Sequence, residues 1–353
     1  MDLKEFYYNK KVIVTGHTGF KGAWLTEWLL NMGAHVYGYS LPPQFSPNLF
    51  QELGLESRMT SSQFGDITDA ERLNKFFNSI KPDVVFHLAA QAFVRESYAN
   101  PKETYSTNLS GTINVMEALR KLANPCAAVF ITTDKVYENN EKGIPYNESD
   151  PLGGYDPYSS SKACCEIAIS SWKRSFFHQH STKLCSVRAG NVIGGGDWSK
   201  DRLVPDIFRA LDENEPIQLR NPGSTRPWQH VLEPLGGYLL TAKKLAEGQS
   251  IDALNFGPFS ESTRSVLDLV KKTLTHFSGS YVENVDPEAV HEANLLSLSI
   301  EKAQELIGWS PIWSFDETIL HTVNWHKEWF QHRKALAITQ SQIALFEKEL
   351  SEY

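Results

Sequence analysis

The sequence predicts an α/β protein, a doubly wound parallel sheet with a smaller C-terminal lobe. Three observations predict it. Short apolar runs alternate with helical segments through the first half, a glycine-rich turn sits directly behind the first run, and past residue 194 the alternation gives way to Gly, Pro and Trp. Strands and helices alternating at this pitch are what crossover connections between parallel strands require.

Residues 11–15, 34–39, 83–88 and 127–133 are rich in Val, Ile, Phe and Ala. Their continuous apolar character fits strands covered on both faces. Residues 23–32, 69–80 and 104–122 carry helical spacing between them, and a helix over 158–179 followed by a strand over 184–188 extends the sheet. Farther on, helices over 203–212, 235–247 and 266–277 alternate with short strands over 217–219 and 253–256, as in a lobe built on the sheet's carboxyl edge. In the helical tail, Trp325 and Trp329 stand one turn apart and read as packing residues.

Composition narrows the partners. The 353 residues are 41% hydrophobic and 22% charged, ordinary for a globular domain. A net charge of −8 disfavours general attraction to nucleic acid or to an anionic membrane, so neither is an expected partner. No stretch approaches the roughly 20 apolar residues of a membrane span. The first eight residues also lack the apolar core of a signal peptide. Cys126, Cys164, Cys165 and Cys185 form no Cys-x-x-Cys pair, and His178 and His180 lack partners at i, i+4. No metal site is expected, and the expected setting is a reducing cytoplasm.

Behind the first strand comes Thr15-Gly16-His17-Thr18-Gly19-Phe20-Lys21-Gly22, opening a helix. Gly16 allows the tight turn, Gly19 lets backbone approach a pyrophosphate, and Gly22 lets the helix pack closely. The free N–H groups and positive dipole of the helix start then attract phosphate. The expected division is therefore a Rossmann-type dinucleotide-binding domain over 1–190 and a mainly substrate-binding lobe over 191–353, with some later segments returning to the first. The second strand ends Gly38-Tyr39-Ser40, with neither an acid for a ribose hydroxyl nor an Arg for a 2′-phosphate. Residue chemistry thus leaves NAD and NADP open. Asp66, in Gly65-Asp66-Ile67, either meets the adenine amine or caps the helix starting near Asp69.

Two segments carry the chemistry, Thr132-Thr133-Asp134-Lys135 at a strand end and Tyr158-Ser159-Ser160-Ser161-Lys162 at a helix start. Residues i and i+4 share a helix face, so Lys162 is expected beside Tyr158, lowering the phenol pKa and fitting it to act as a base. Asp134 and Lys135 are either a strand-end ion pair or an acid and a base.

These motifs resemble the extended short-chain dehydrogenase/reductases that modify nucleotide sugars. The resemblance covers nearly the whole chain: the glycine loop, His87-Leu88-Ala89-Ala90-Gln91, Thr107-Asn108-Leu109-Ser110-Gly111-Thr112, the Tyr158/Lys162 pair, Arg188-Ala189-Gly190-Asn191-Val192-Ile193-Gly194, and Gly308-Trp309. It implies NAD bound by Gly16, Thr18, Gly19, Phe20, Gly22, Asp66, Ile67, Leu88, Ala89, Ala90, Asn108, Tyr158 and Lys162. Asp134-Lys135, where the dTDP-glucose enzymes have Asp-Glu, is similar to the 4,6-dehydratases acting on CDP-glucose. So is the run Arg226-Pro227-Trp228-Gln229-His230-Val231-Leu232-Glu233-Pro234-Leu235.

The implied chemistry uses Thr133, Asp134, Lys135, Tyr158 and Lys162. Tyr158 accepts the O4 proton as C4 is oxidised, and Thr133 hydrogen-bonds the same oxygen. Asp134, if burial keeps it neutral, protonates the departing O6, and Lys135 is a candidate C5 base if its pKa is depressed. Asn191, Arg202, Leu203, Arg220, Arg226 and Asn255 are the expected substrate contacts, guanidinium forks suiting phosphate oxygens. Trp198 either stacks on a base or packs. His17, Phe93, Arg95 and Ser97 stand near the expected site. The resemblance further implies a homodimer or higher homo-oligomer formed through the two long helices. A 4-epimerase shares all of this except a need for Asp134-Lys135, and a silent NAD-binding interaction protein needs neither Tyr158 nor Lys162.

Overall fold

In β1 (Lys11–Thr15), Val12 and Val14 point to one face and Ile13 to the other, and all three are fully buried. A strand with apolar residues on both faces needs cover on both, and each such side chain contributes about 1.5–3 kcal/mol on burial. The same holds for β4 (Val84–His87) and β5 (Ala127–Ile131), buried at every position. The computed structural model describes residues 3–139, 143–284 and 296–352.

With β2 (His35–Ser40), β3 (Ser61–Phe64), β6 (Lys183–Ala189) and β7 (Ala253–Phe256), these strands form one parallel sheet, in the order β7-β6-β5-β4-β1-β2-β3. The segment at 253–256, expected within the second lobe, is thus the outermost strand of the main sheet. The order reverses between β1 and β4, the switch point where doubly wound sheets open a crevice at their carboxyl ends. Thr15 sits opposite His87 there.

The crossover helices are α1 (Phe20–Asn31), α2 (Ala70–Ile80), α3 (Gly111–Arg120) and α4 (Pro157–Trp172). The continuous helix expected over 104–122 is broken. Pro101–Tyr105 is α-helical, Ser106–Ser110 forms a wider π-helical turn, and only then does α3 begin. Such turns inside helices concentrate at functional sites, and this one carries Asn108.

Between and beyond lie α5 (Leu203–Asp212), α6 (Leu232–Ala246), α7 (Phe315–His332) and α8 (Ala335–Glu352). Leu211, Phe208, Leu219, Trp228, Leu269 and Phe315 belong to a separate apolar cluster that gives the later lobe its own core. Helix α8 backs onto α1, with Glu347 accepting from the Trp28 indole at 2.6 Å and Gln340 donating to buried Glu27. Trp325 and Trp329 are buried and stacked, and half-buried Trp198 packs edge-on against both. Among the described residues no helix is long and apolar enough to cross a membrane.

Candidate active site

The chain leaves β1 through Gly16 at φ +78°, a conformation L side chains avoid. A Cβ on Gly16 would lie 2.7 Å from the Ala89 nitrogen, and one on Gly22 would lie 2.0 Å from the Gly16 oxygen. Loop, helix and the bend at Leu88, Ala89 and Ala90 are therefore nested too closely for side chains. Gly19 is the N-cap of α1, whose first-turn N–H groups at Phe20, Lys21 and Gly22 point out of the helix without helical acceptors. These donors and the helix dipole fit a pyrophosphate.

Thr15 Oγ1 and His87 Nδ1 lie 2.7 Å apart, and His87 Nε2 is 3.0 Å from Thr112 Oγ1. Burial, and secondarily Lys162, lowers the His87 pKa to about 3 and keeps the ring neutral. Thr18 Oγ1 meets Ser40 Oγ at 2.8 Å and donates to the Leu41 carbonyl at 2.9 Å, placing it at the end of β2. Exposed Asp66 accepts from Thr68 N at 2.8 Å, while Asp69 caps α2 by accepting from Arg72 N. The Ile67 side chain is buried in the sheet's second core cluster, against Gly111. Asn108 bridges the β4 loop and α4: its amide donates to Gln91 O and Ser161 Oγ, and its oxygen accepts from Gln91 N.

The catalytic candidates come together at the carboxyl ends of β4–β6. Thr133 donates to Asp134 Oδ1 at 2.9 Å and is hydrogen-bonded to the Tyr158 phenol. Asp134 Oδ2 accepts from Asn191 Nδ2 at 3.3 Å. Asn191 holds φ +51°, a left-handed turn that Asn tolerates. A Cβ on the neighbouring Gly190 would lie 1.9 Å from the Asp134 carboxylate, so this residue must be glycine for the two loops to meet. Among the described residues, Asp134 and Lys135 form no ion pair with each other, and half-buried Lys135 engages Thr133 only through its backbone N–H.

The phenol behaves differently from the sequence expectation. Burial is the largest influence on Tyr158 and pushes its pKa up to about 12, against downward pulls from the Thr133 hydrogen bond and Arg202. Lys162 is not among the largest influences on it. Its ammonium donates instead to the Ile131 carbonyl at 3.1 Å, and burial lowers its own pKa.

Among the expected substrate contacts, Arg202 stands near the cluster. It acts on Tyr158, lies 5.4 Å over the Phe93 ring and reaches Ala92 O. Leu203, half-buried, opens α5 behind it. Arg226 is half-buried on a short strand opposite Arg264, and Gln229 in the same run donates to Gly190 O at 3.0 Å. Arg220 is exposed, near Asp206. Asn255 makes no hydrogen bond to this cluster among the described residues. It is fully buried, accepting from Tyr137 Oη at 2.7 Å and donating to Tyr146 O at 2.9 Å. Arg95 pairs with Asp201, Ser97 donates within its own helix, and His17 is buried against Ser62 and Phe50.

Sequence reasoning assigned Lys21 no role. Its ammonium faces Arg202, Asp134 and Lys162, and burial lowers its pKa to about 7. Lys21, Lys162 and Arg202 thus gather basic groups around Asp134 in an otherwise acidic protein. Also unassigned were Glu166, one turn beyond Lys162 on the same face of α4, and its ion-pair partner Arg188. The i, i+4 spacing of Lys162 and Glu166 was visible in the sequence.

The chain is 46% identical to a CDP-glucose 4,6-dehydratase of Salmonella typhimurium, over 97% of each. It is 26% identical to a probable dTDP-glucose 4,6-dehydratase of Sinorhizobium fredii, over 96% of this chain and 99% of the relative. An epimerase structure from Methanothermobacter thermautotrophicus superposes with a TM-score of 0.79 at 24% identity, covering 95% of this chain and 97% of the other. The family model described as GDP-mannose 4,6 dehydratase matches residues 13–322. With the sheet, the glycine cradle and the Tyr158–Thr133–Asp134 cluster in place, the chain belongs to the GDP-mannose 4,6 dehydratase family.

Proposed function

We propose that the protein converts CDP-glucose to CDP-4-dehydro-6-deoxyglucose and water, using NAD held by the glycine cradle. The observation that carries this reading is the contact between Thr133 and Asp134. It sets an acid beside the residue bonded to the oxidising base, Tyr158. A 4-epimerase has no use for that acid. The 46% identical relative supports the choice of CDP-glucose.

NAD⁺ held in the glycine cradle would supply the acceptor for the C4 hydride and the source of the hydride at C6. Tyr158 takes the O4 proton, with Thr133 hydrogen-bonding that oxygen. The C4 ketone acidifies the C5 proton, which Lys135 in its neutral amine form removes. Asp134 in its protonated form gives its proton to the departing O6 hydroxyl, the two groups ending as ammonium and carboxylate. Lys162 holds the cofactor ribose, and the first-turn N–H groups of α1 hold its phosphates. Arg202 and Arg226 hold the substrate pyrophosphate, with residues 191–353 forming most of its lobe. The enzyme works in the cytoplasm, where its four cysteines stay free thiols, as a homodimer or higher homo-oligomer.

Incubation with CDP-glucose, followed by assay for the alkali-sensitive 4-keto chromophore, tests this. Parallel reactions with dTDP-, UDP- and GDP-sugars test the base. An epimerase or a silent binder gives no chromophore, and faster turnover of another nucleotide reassigns the substrate.

A further inference from the structure

The Thr133-Asp134-Lys135 triplet is flanked on both sides by residues tied to one buried ion pair. Arg188 NH2 lies 2.7 Å from Glu166 Oε2, with both side chains almost wholly buried. On the near side, Thr132 donates its hydroxyl to Glu166 Oε1. On the far side, Tyr137 receives Arg188 NH1 at 2.7 Å and lies under the guanidinium at 5.0 Å. Ser186 adds a third donor to the carboxylate at 2.7 Å. Tyr137 passes the link on to Asn255, whose backbone N–H binds the Glu148 carboxylate.

Glu166 stands on α4, one turn past Lys162 and eight residues past Tyr158, on the same face. The helix that presents the phenol therefore also carries the carboxylate that grips the strand end. Stability alone is a weak reason for such an arrangement. Desolvating two charges offsets most of their attraction, and an apolar pair of similar volume often does as well.

We infer that the Glu166–Arg188 pair is a positioning device, holding the Thr133–Lys135 segment in register with Tyr158 across the bound sugar. This rests on the dehydratase reading for its chemical consequence but not for its geometry. Glu166 and Arg188 touch no reacting atom; they act through Thr132 and Tyr137. A misplacement of about 1 Å in such a constellation lowers turnover by about 10²-fold.

The test uses the full chain carrying Glu166→Leu together with Arg188→Met, which removes both charges and leaves neither one orphaned. The expected result is a folded protein whose KM for CDP-glucose stays within about threefold of wild type while kcat falls by about 10²-fold. Backbone amides of residues 132–137 should exchange faster with solvent. If the double variant does not fold, Thr132→Val and Tyr137→Phe each cut one link, and each should lower kcat about tenfold at unchanged KM. A kcat near wild type in whichever variants fold overturns the inference. So does unchanged exchange over 132–137, whatever the substrate. Wild-type enzyme that leaves CDP-glucose untouched refutes the dehydratase reading instead, with the exchange measurement still deciding the clamp.

Discussion

Lys162, one turn beyond Tyr158 on α4, donates to the Ile131 carbonyl of β5 at 3.1 Å. Arg202 favours the phenolate, and so does Thr133 when its single hydroxyl proton turns from Asp134 to the phenol oxygen. Burial opposes both and wins, holding the phenol at about 12. Turnover should therefore rise with pH as the phenolate fraction grows. Removing Arg202 takes away a downward pull, so the phenol pKa rises and the limb moves to higher pH. Arg202→Leu should displace the rising limb of the kcat profile in the alkaline direction, each unit costing about tenfold at a fixed pH below it. A limb that stays in place contradicts this assignment.

Tyr158→Phe keeps the ring and deletes the oxygen bonded to Thr133. General-base assistance is worth about 10²–10⁴-fold, and kcat should drop by that much with the melting temperature nearly unchanged. Turnover close to wild type would remove Tyr158 from the chemistry.

Asn255 was expected to meet the substrate, yet its side chain is spent on Tyr137 and Tyr146. Asn255→Ala strands the buried Tyr137 hydroxyl, at a cost of about 1–3 kcal/mol, while the Tyr146 carbonyl keeps the Ser299 N–H. The variant should melt at a lower temperature while its KM for the nucleotide sugar stays near wild type. A large KM increase in a protein of normal stability would return Asn255 to the substrate's surroundings.

The contrast between Asn255 and Asn191 shows what was legible in the sequence. Strand and helix periods follow from which faces are buried, so β1, β4, β5 and the helices after them could be placed from apolar spacing alone. The glycine loop and the Tyr158/Lys162 pair are local patterns and survive folding intact. Side-chain direction at a strand end is not local. Asn191 turns toward Asp134 because its backbone adopts φ +51° and Gly190 lets the carboxylate approach, whereas Asn255 lies in a strand beside β6 and points into the protein. The π-helical turn at Asn108 is equally hidden, since a one-residue widening leaves the helical residue pattern almost unchanged. Glu166 lay at a readable spacing, but its partners Ser186 and Arg188 lie in β6 and Thr132 just past the end of β5, and these meet only in the folded sheet.

Acid sensitivity gives a prediction away from the active site. Burial lowers the pKa of His17 to about 4, of His87 and His326 to about 3, and of His230 well below the usual value. Unfolded, each titrates near 6.5. Below that pH the unfolded chain gains protons that the folded one refuses, so stability present above about pH 6.5 is lost as pH falls toward the folded values. The slope is about 1.4 kcal/mol per pH unit for each group. His326 isolates one share of this effect. Its ring stacks on Phe208 with centroids 3.7 Å apart, and among the described residues neither ring nitrogen has a hydrogen-bond partner. His326→Phe keeps the stack, loses no hydrogen bond and removes one proton from the linkage. Its melting temperature should equal or exceed wild type at pH 8 and fall less steeply between pH 6.5 and 4. Parallel curves for the two proteins would show that His326 is already protonated in the folded state, and that the apolar surroundings of α7 do not exclude its charge.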